Sequence, residues 1–427
     1  MALDIQALIK SLDNCPCGKK HAVKAPFVSF EKGLTGKTGA LLRERIGGES
    51  LLLVWDENTK KASPGLYESL TGAGYRVKTL TYKDLREATM DVSERVMKEA
   101  EGTDLILSAG SGSLNDVCRY ASFRLSMPFA IFATAPSMDG FLSGQAPLTV
   151  KGYKTTLEAK APEVLLADVD ILAASPAELK AAGLGDLIGK YTALADWKIA
   201  SILTGESFCP SIARLMREAV EKAVKPIREG ADPGHNEEYA LALMEALTLS
   251  GLMIYLAGSS RPASGAEHHI AHLWEILYAA RGLAPLYHGT KVGIAATLVS
   301  DIYHEAAEKP PVFLDHVPPE GALRAAFDPL YESIMKESLP DPAEGVENGT
   351  IAGNWDEIAR IVREEIPTGG EIRALLKRAG GAATAEEAGV PENLKEAGVK
   401  YAFYMRRRLT LMRLLRTRVA PFSETES

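Results

Sequence analysis

Four side chains have the types and spacing from which a metal site could be built. Asp186 lies in AAGLGDLIGK, His268 and His272 in SGAEHHIAH, and His288 in LYHGTKVG. His268 and His272 are four residues apart, so a helix puts them on one face. His288 stands beside a glycine that leaves room around its ring. One carboxylate with two or three imidazoles can hold a divalent ion and keep a coordination position open, the catalytic rather than the structural arrangement. A histidine pair at this spacing is also common on a solvated helix face. Against that, four of the chain's eight histidines fall between 268 and 288, which random placement rarely gives. In EHHIAH, His269 occupies the position where a zinc protease has its glutamate, so a hydrolytic mechanism lacks its general base.

A second chemistry is suggested by two turns. Gly110-Ser111-Gly112-Ser113-Leu114-Asn115-Asp116 directly follows an apolar run and opens a helical pattern. Glycines there let the backbone approach a diphosphate, and a helix N-terminus offers it unpaired N–H groups. The pattern is not the dinucleotide fingerprint, because Asn115 fills the third glycine position. Thr134-Ala135-Pro136-Ser137-Met138-Asp139-Gly140 follows the next apolar run; taken alone it reads as an ordinary turn.

Other candidates are weaker. Cys15, Cys17 and His21 in CPCGKKH resemble part of a metal knuckle with no fourth ligand, and read better as a reduced, solvent-facing loop. Cys118 reads as a small buried apolar group. Arg406, Arg407, Arg408, Arg413, Arg416 and Arg418 could meet nucleic acid, but on an acidic chain they read as partners of acidic neighbours and a helix dipole.

The elements that must position these groups follow from apolar spacing. Strands are expected at 51–55, ending on Asp56, and at 75–82, 104–108, 128–134 and 163–167. Helical spacing covers 85–100 and 114–125, and 147–157 reads as a hairpin. Strands alternating with helices at these intervals predict parallel βαβ units, because parallel neighbours need a long crossover. After Ser175-Pro176 the pattern is almost wholly helical, with Gly183 and Gly185 marking a break before a helix that begins at Leu187. Prolines at 310–311, 318–319, 340 and 342 divide this half, and one last helix is expected over about 393–417. The expectation is an α/β N-terminal domain with a parallel, Rossmann-like sheet over 1–175, an all-α C-terminal domain over 176–427, and the site in a cleft between them.

Length and composition agree. The 427 residues suffice for two or three cores. Lys+Arg number 48 and Asp+Glu 56, so formal charge is 48 − 56 = −8. That excess argues against a nucleic-acid or membrane partner, whose phosphates need a positive field. The apolar stretch 240–258 reads as a buried helix rather than a span. The start shows no secretory pattern, and four cysteines are too few for a disulfide scaffold, so the cytoplasm is expected.

With these residues assembled, the chain resembles the glycerol-1-phosphate dehydrogenases, within the larger group of iron-type alcohol dehydrogenases, glycerol dehydrogenases and 3-dehydroquinate synthases. GSGSLND, TAPSMDGFLS, GLGDLIGKYTALADWK, SRPASGAEHHIAHLWE and YHGTKVG carry the likeness, over roughly residues 15–305. Ser113 stands where the family commonly has threonine, which keeps the hydroxyl. The resemblance implies a dehydroquinate synthase-like fold, with Asp186, His268 and His288 as ligands of one divalent ion (zinc, nickel or iron). Asp186, His272 and Asp139 would face the substrate, with His272 as proton acceptor. NAD or NADP would meet Asp56, Gly110 to Asp116, Thr134 to Ser137 and Ser143. A carboxylate at Asp56 repels a 2′-phosphate, which favours NAD.

The implied reaction interconverts dihydroxyacetone phosphate and sn-glycerol 1-phosphate. The implied substrate is a small phosphorylated polyol, the implied state a homodimer or higher homo-oligomer. Lys154 and Arg261 are the cationic candidates for its phosphate. Two alternatives share the donor set: a dehydrogenase of unphosphorylated glycerol, and a dehydroquinate synthase-type cyclase, which usually has Glu at the position of Asp186. A dead nucleotide-binding module would make the donor set a coincidence.

Overall fold

A computed structural model describes residues 3–150, 153–314 and 318–420. The chain forms two compact units, Met1–Leu184 with Glu218–Gly258, and Gly185–Arg217 with Ser259–Ser427.

The first unit is built on a six-stranded sheet of β1 (Phe27–Glu31), β2 (Ser50–Asp56), β3 (Arg76–Tyr82), β4 (Leu105–Gly110), β5 (Phe129–Ala133) and β8 (Val164–Asp168). Its order is β1-β8-β5-β4-β2-β3, and every pairing is parallel. Strands β2, β4, β5 and β8 are buried at every position, as continuous apolar runs such as LLLVW and FAIFA require when both faces are covered. The chain places β3 on one side of β2 and β4 on the other. This is a topological switch point, and ligands of open α/β sheets sit outside the carboxyl ends of strands at such a point. The expected hairpin is present as antiparallel β6 (Gln145–Val150) and β7 (Tyr153–Glu158).

Helix α1 (Met90–Glu99) starts five residues later than the spacing suggests. The preceding segment makes other hydrogen bonds: Leu85 N donates to Asp56 Oδ2, and the Ala88 carbonyl accepts from Thr149 N at 2.8 Å. Strand β1 is the sheet element the periodicity missed. Its five residues gain their identity from pairing with β8, which lies more than a hundred residues away. Helix α2 (Gly112–Leu125) follows β4.

Four long helices come next: α3 (Ala177–Thr204), α4 (Pro210–Arg228), α5 (Glu237–Ala257) and, after a turn, α6 (Ala266–Ala280). Helix α5 is long and apolar enough to cross a membrane, but 72% of its most apolar window is buried, as expected of a core helix. Helix α7 (His288–Ala307) packs on α6.

The final helix expected over 393–417 is in fact two, α8 (Glu392–Tyr401) and α9 (Leu411–Thr417), separated by a 3-10 turn and extended residues. Tertiary partners meet the backbone groups that the interruption exposes. Leu411 N donates to Asp196 Oδ1 and Met412 N to the Tyr303 hydroxyl. Arg413, fully buried, donates to the carbonyls of Phe403 and Arg406 and pairs with Asp341 at 3.0 Å. Arg413 therefore belongs to the core of the second unit and has the acidic neighbour that was expected, while Arg406, Arg408, Arg416 and Arg418 are half-buried and Arg407 is exposed.

Candidate metal centre and nucleotide loops

Gly183 and Gly185 do not interrupt α3; the helix runs straight through them. Each glycine permits a close approach. A Cβ on Gly183 would sit 2.0 Å from the Pro136 carbonyl oxygen, and one on Gly185 would sit 2.4 Å from that of Gly289. The helix gives up about 1 kcal/mol per glycine relative to alanine for that proximity. Asp186 follows directly, fully enclosed, and Lys190 one turn on donates to its Oδ1 at 2.7 Å.

The second unit brings Asp186, His268, His272 and His288 together. Ring centroids are 5.3 Å apart for His268 and His288, 5.8 Å for His268 and His272, and 5.7 Å for His272 and His288. His268 Nε2 lies 3.7 Å from Asp186 Oδ1, and one ligand atom from each of Asp186, His268 and His288 falls within 4.8 Å of the others. His272, Glu275 and His288 form a second such set. Glu275 Oε1, however, is 2.8 Å from His288 Nδ1 and 3.2 Å from Lys291 Nζ, so its charge is engaged there.

Each imidazole of the first set has a carboxylate behind it. His268 Nδ1 is 2.7 Å from Glu267 Oε1, as His288 Nδ1 is from Glu275. A proton on Nδ1 shared with a carboxylate leaves the Nε2 lone pair for a cation, the usual outer support of a metal-binding histidine. Glu267 is itself fixed by Gly265 N and the Thr192 hydroxyl. The donor set thus fits a divalent ion with an open position. Glu267, Glu275 and Lys190 escaped the sequence analysis; the signal was charge inside otherwise apolar helical stretches.

Electrostatics agree with that fit. Burial works against ionisation of Asp186, but the Lys190 ammonium and the imidazoles of His268 and His288 outweigh it and hold the carboxyl well below its usual range. Burial, with Arg406 and the neighbouring imidazoles, pushes His272 well below the ordinary histidine value despite Glu275. Half-buried His272 is therefore neutral at pH 7, with a ring lone pair but less basicity than an exposed imidazole.

In the first unit, the loops after β2, β4 and β5 emerge beside the switch point. Ser111 is the N-cap of α2, and its hydroxyl accepts from that of Ser137 at 3.0 Å, linking the two small-residue turns. Ser113 donates to the Arg86 carbonyl, and Asn115 Oδ1 accepts from Ser108. Gly110, Gly112, Leu114 and Asp116 complete the first turn, and Thr134, Ala135 and Pro136 are buried in the second. Asp56 ends β2, where its Oδ1 caps the short helix Glu57–Ala62 by accepting from Asn58 N and Thr59 N. Ser143 stabilises the entry into β6 by accepting from Gln145 N. Asp139 is half-buried and accepts from the Ser250 hydroxyl of α5 at 2.9 Å.

Two expectations need correction. Arg261 donates from all three guanidinium nitrogens, to both Glu206 oxygens and the Leu409 carbonyl, so it serves the core rather than a phosphate. His21 is buried at 3% exposure, with Cys15 and Cys17 half-buried beside it, and this corner is no solvent-facing loop. The side chain of Lys154 lies outside the described residues.

Against this geometry, comparisons with known proteins agree. A family profile described as iron-containing alcohol dehydrogenase matches residues 29–176. The glycerol-1-phosphate dehydrogenase [NAD(P)+] of Halalkalibacterium halodurans is 32% identical over 93% of this chain and 94% of its own length. That of Bacillus velezensis is 35% identical over 87% and 86%. Among solved structures, NADH-dependent butanol dehydrogenase A of Thermotoga maritima shares the fold, with a TM-score of 0.57 at 16% identity, covering 94% of this chain and 92% of that one.

Proposed function

The chain belongs to the glycerol-1-phosphate dehydrogenase family, and on that premise we propose that it interconverts dihydroxyacetone phosphate and sn-glycerol 1-phosphate with NAD(H) or NADP(H). The observation that carries this reading is the convergence of Asp186, His268 and His288, with a glutamate behind each imidazole. These three hold the ion, for which zinc, nickel and iron all suit the donor set. A divalent cation bound there supplies a Lewis acid for the carbinol oxygen as carbon 2 changes oxidation state.

The chain's own residues do the rest. Neutral His272 takes the hydroxyl proton in the oxidative direction and returns it in the reductive one. Asp139, fixed by Ser250, orients the substrate's polar end, and Asp186 borders the substrate as well as the ion. The turns at Gly110 to Asp116 and Thr134 to Ser137, with Ser143, cradle the nicotinamide cofactor. Asp56 beside them favours NAD over NADP. The portion 1–175 binds the nicotinamide and 176–427 the ion and substrate, in a cytoplasmic homodimer.

Reduced-nicotinamide absorbance tests the reading, with dihydroxyacetone phosphate, dihydroxyacetone and each reduced cofactor, before and after chelation. Turnover should require the phosphorylated ketone, vanish on chelation and return with added metal. Equal turnover of dihydroxyacetone would move the assignment to a glycerol dehydrogenase. Full activity after thorough chelation would remove the ion from the reaction.

A further inference from the structure

We propose that Cys15, Cys17 and His21 form a second metal site, a thiolate-rich clip for a zinc-class ion that fastens the N-terminal segment to the end of α5. This site is independent of the chemistry at Asp186, and nothing in the proposed reaction uses it.

The turn that presents the two cysteines is tight. Gly18 N donates to the Cys15 carbonyl at 3.1 Å, and Gly18 has a φ of 74°, a left-handed conformation that a side chain would strain. The Cys15 and Cys17 sulfurs and an imidazole nitrogen of His21 all lie within 4.8 Å of one another. Cys17 Sγ is 3.1 Å from His21 Nε2. Tetrahedral zinc with ordinary bond lengths to sulfur and nitrogen has an S···N edge of about 3.5 Å, so this pair needs to part by only a few tenths of an ångström.

His21 is in the state a ligand needs. Its Nδ1 lies 2.9 Å from the carbonyl oxygen of Leu256. That carbonyl belongs to the last turn of α5, where helical carbonyls lack an intrahelical donor. A carbonyl can only accept, so Nδ1 carries a proton, and the neutral ring with that proton turns its Nε2 lone pair toward the sulfur. A backbone carbonyl on the far nitrogen is also the common outer partner of a metal-bound imidazole. All four cysteines of the chain are outside disulfides, so both sulfurs are thiol rather than half-cystine sulfurs. A thiol hydrogen bond accounts for Cys17 and His21, but a second, half-buried sulfur beside them matches the preference of soft divalent ions for thiolate. Two thiolates and one neutral imidazole leave a fourth tetrahedral position for water or a further thiolate.

The clip has a structural consequence. It ties a segment that precedes the whole sheet to the helix whose Ser250 holds Asp139. Losing the ion should loosen that attachment while leaving the donor set at Asp186 intact.

Cobalt(II) titration of the metal-free full-length chain tests this without any mutation. Two ions per chain should bind, and one should give the near-ultraviolet thiolate-to-cobalt charge-transfer band that a carboxylate and imidazoles cannot produce. Bound zinc should protect at least two thiols from alkylation. The double variant Cys15→Ser, Cys17→Ser should lose the band and one ion per chain, melt at a lower temperature and retain turnover. His21→Gln should keep the band but bind cobalt at least tenfold more weakly. Absence of the band in the wild type at saturating cobalt, or unchanged thiol reactivity on zinc binding, overturns the proposal, and these two readings stand even if the double variant fails to fold.

Discussion

The Lys190 ammonium lies 2.7 Å from Asp186 Oδ1, one helical turn apart on α3, with both side chains fully enclosed. A buried carboxylate of this kind needs a counter-ion at all times. Lys190 supplies it when no cation is present, and shares it when one is. Removing one partner of a buried pair typically costs about 3–5 kcal/mol, because the other charge is left bare. Lys190→Met should therefore destabilise the metal-free chain strongly and the metal-loaded chain much less. Melting temperature with and without zinc checks this: the metal-induced rise should be larger in the variant than in the wild type.

His268 and His272 share a helix face but have different proposed roles. His268→Ala should strip the ion and abolish turnover. His272→Ala should keep the ion and lose about 10²–10⁴-fold in kcat, the usual contribution of a positioned base. Metal content and kcat measured on both variants decide the matter, and identical behaviour would contradict the division.

The glutamates behind the imidazoles make a graded prediction. Glu267→Gln and Glu275→Gln keep a hydrogen-bond acceptor but lose charge, and outer partners of this sort are worth about 10–100-fold in metal affinity. Competition with a chromophoric chelator should show weaker binding at unchanged stoichiometry. Loss of the ion altogether would make either glutamate a direct ligand.

Asp196 should give the second unit a pH-dependent stability. It accepts from Tyr303, Leu411 and Ala266, and burial, with the charge of Glu267 nearby, pushes its carboxyl up to about 7. Between about pH 4 and 7 the folded chain then holds a proton that the unfolded chain has released, so this group's contribution falls as pH rises through that window and levels off above it. Asp196→Asn should flatten that fall in urea titrations across pH 4 to 8. An unchanged slope would show that the carboxyl ionises normally.

Asp56 has two separable jobs. Asp56→Ser keeps an N-cap oxygen for the helix Glu57–Ala62 but removes the charge, so NADPH use should rise relative to NADH with little loss of stability. Asp56→Ala should shift the cofactor ratio similarly and cost about 1 kcal/mol more in stability through the lost cap. Steady-state kinetics with both cofactors, paired with denaturant titration, separates the two effects.

What the sequence disclosed depended on how local each cause was. The strand DLILS followed by a glycine turn and a helix is a local pattern, and β4 and α2 appear where it puts them. The four-residue spacing of His268 and His272 is equally local. The interruption near 402–410 is not, because Asp196 and Tyr303, which satisfy the first amides of α9, lie more than a hundred residues upstream. The same holds for His21, whose burial depends on a carbonyl 235 positions away. Lys190 was hidden for another reason: a lysine four residues after an aspartate reads as an exposed helix pair until both are found enclosed.

The contact between Gly185 and Gly289 sits immediately beside Asp186 and His288, so the gap between those two donors is set by main chain touching main chain. It behaves as a caliper with a fixed opening. Exchanging one cation for another of different ionic radius has to be absorbed by rotation of the imidazoles, since the helices cannot draw closer. A single methyl group at position 185 would instead pry the jaws apart and spoil the grip for every ion alike.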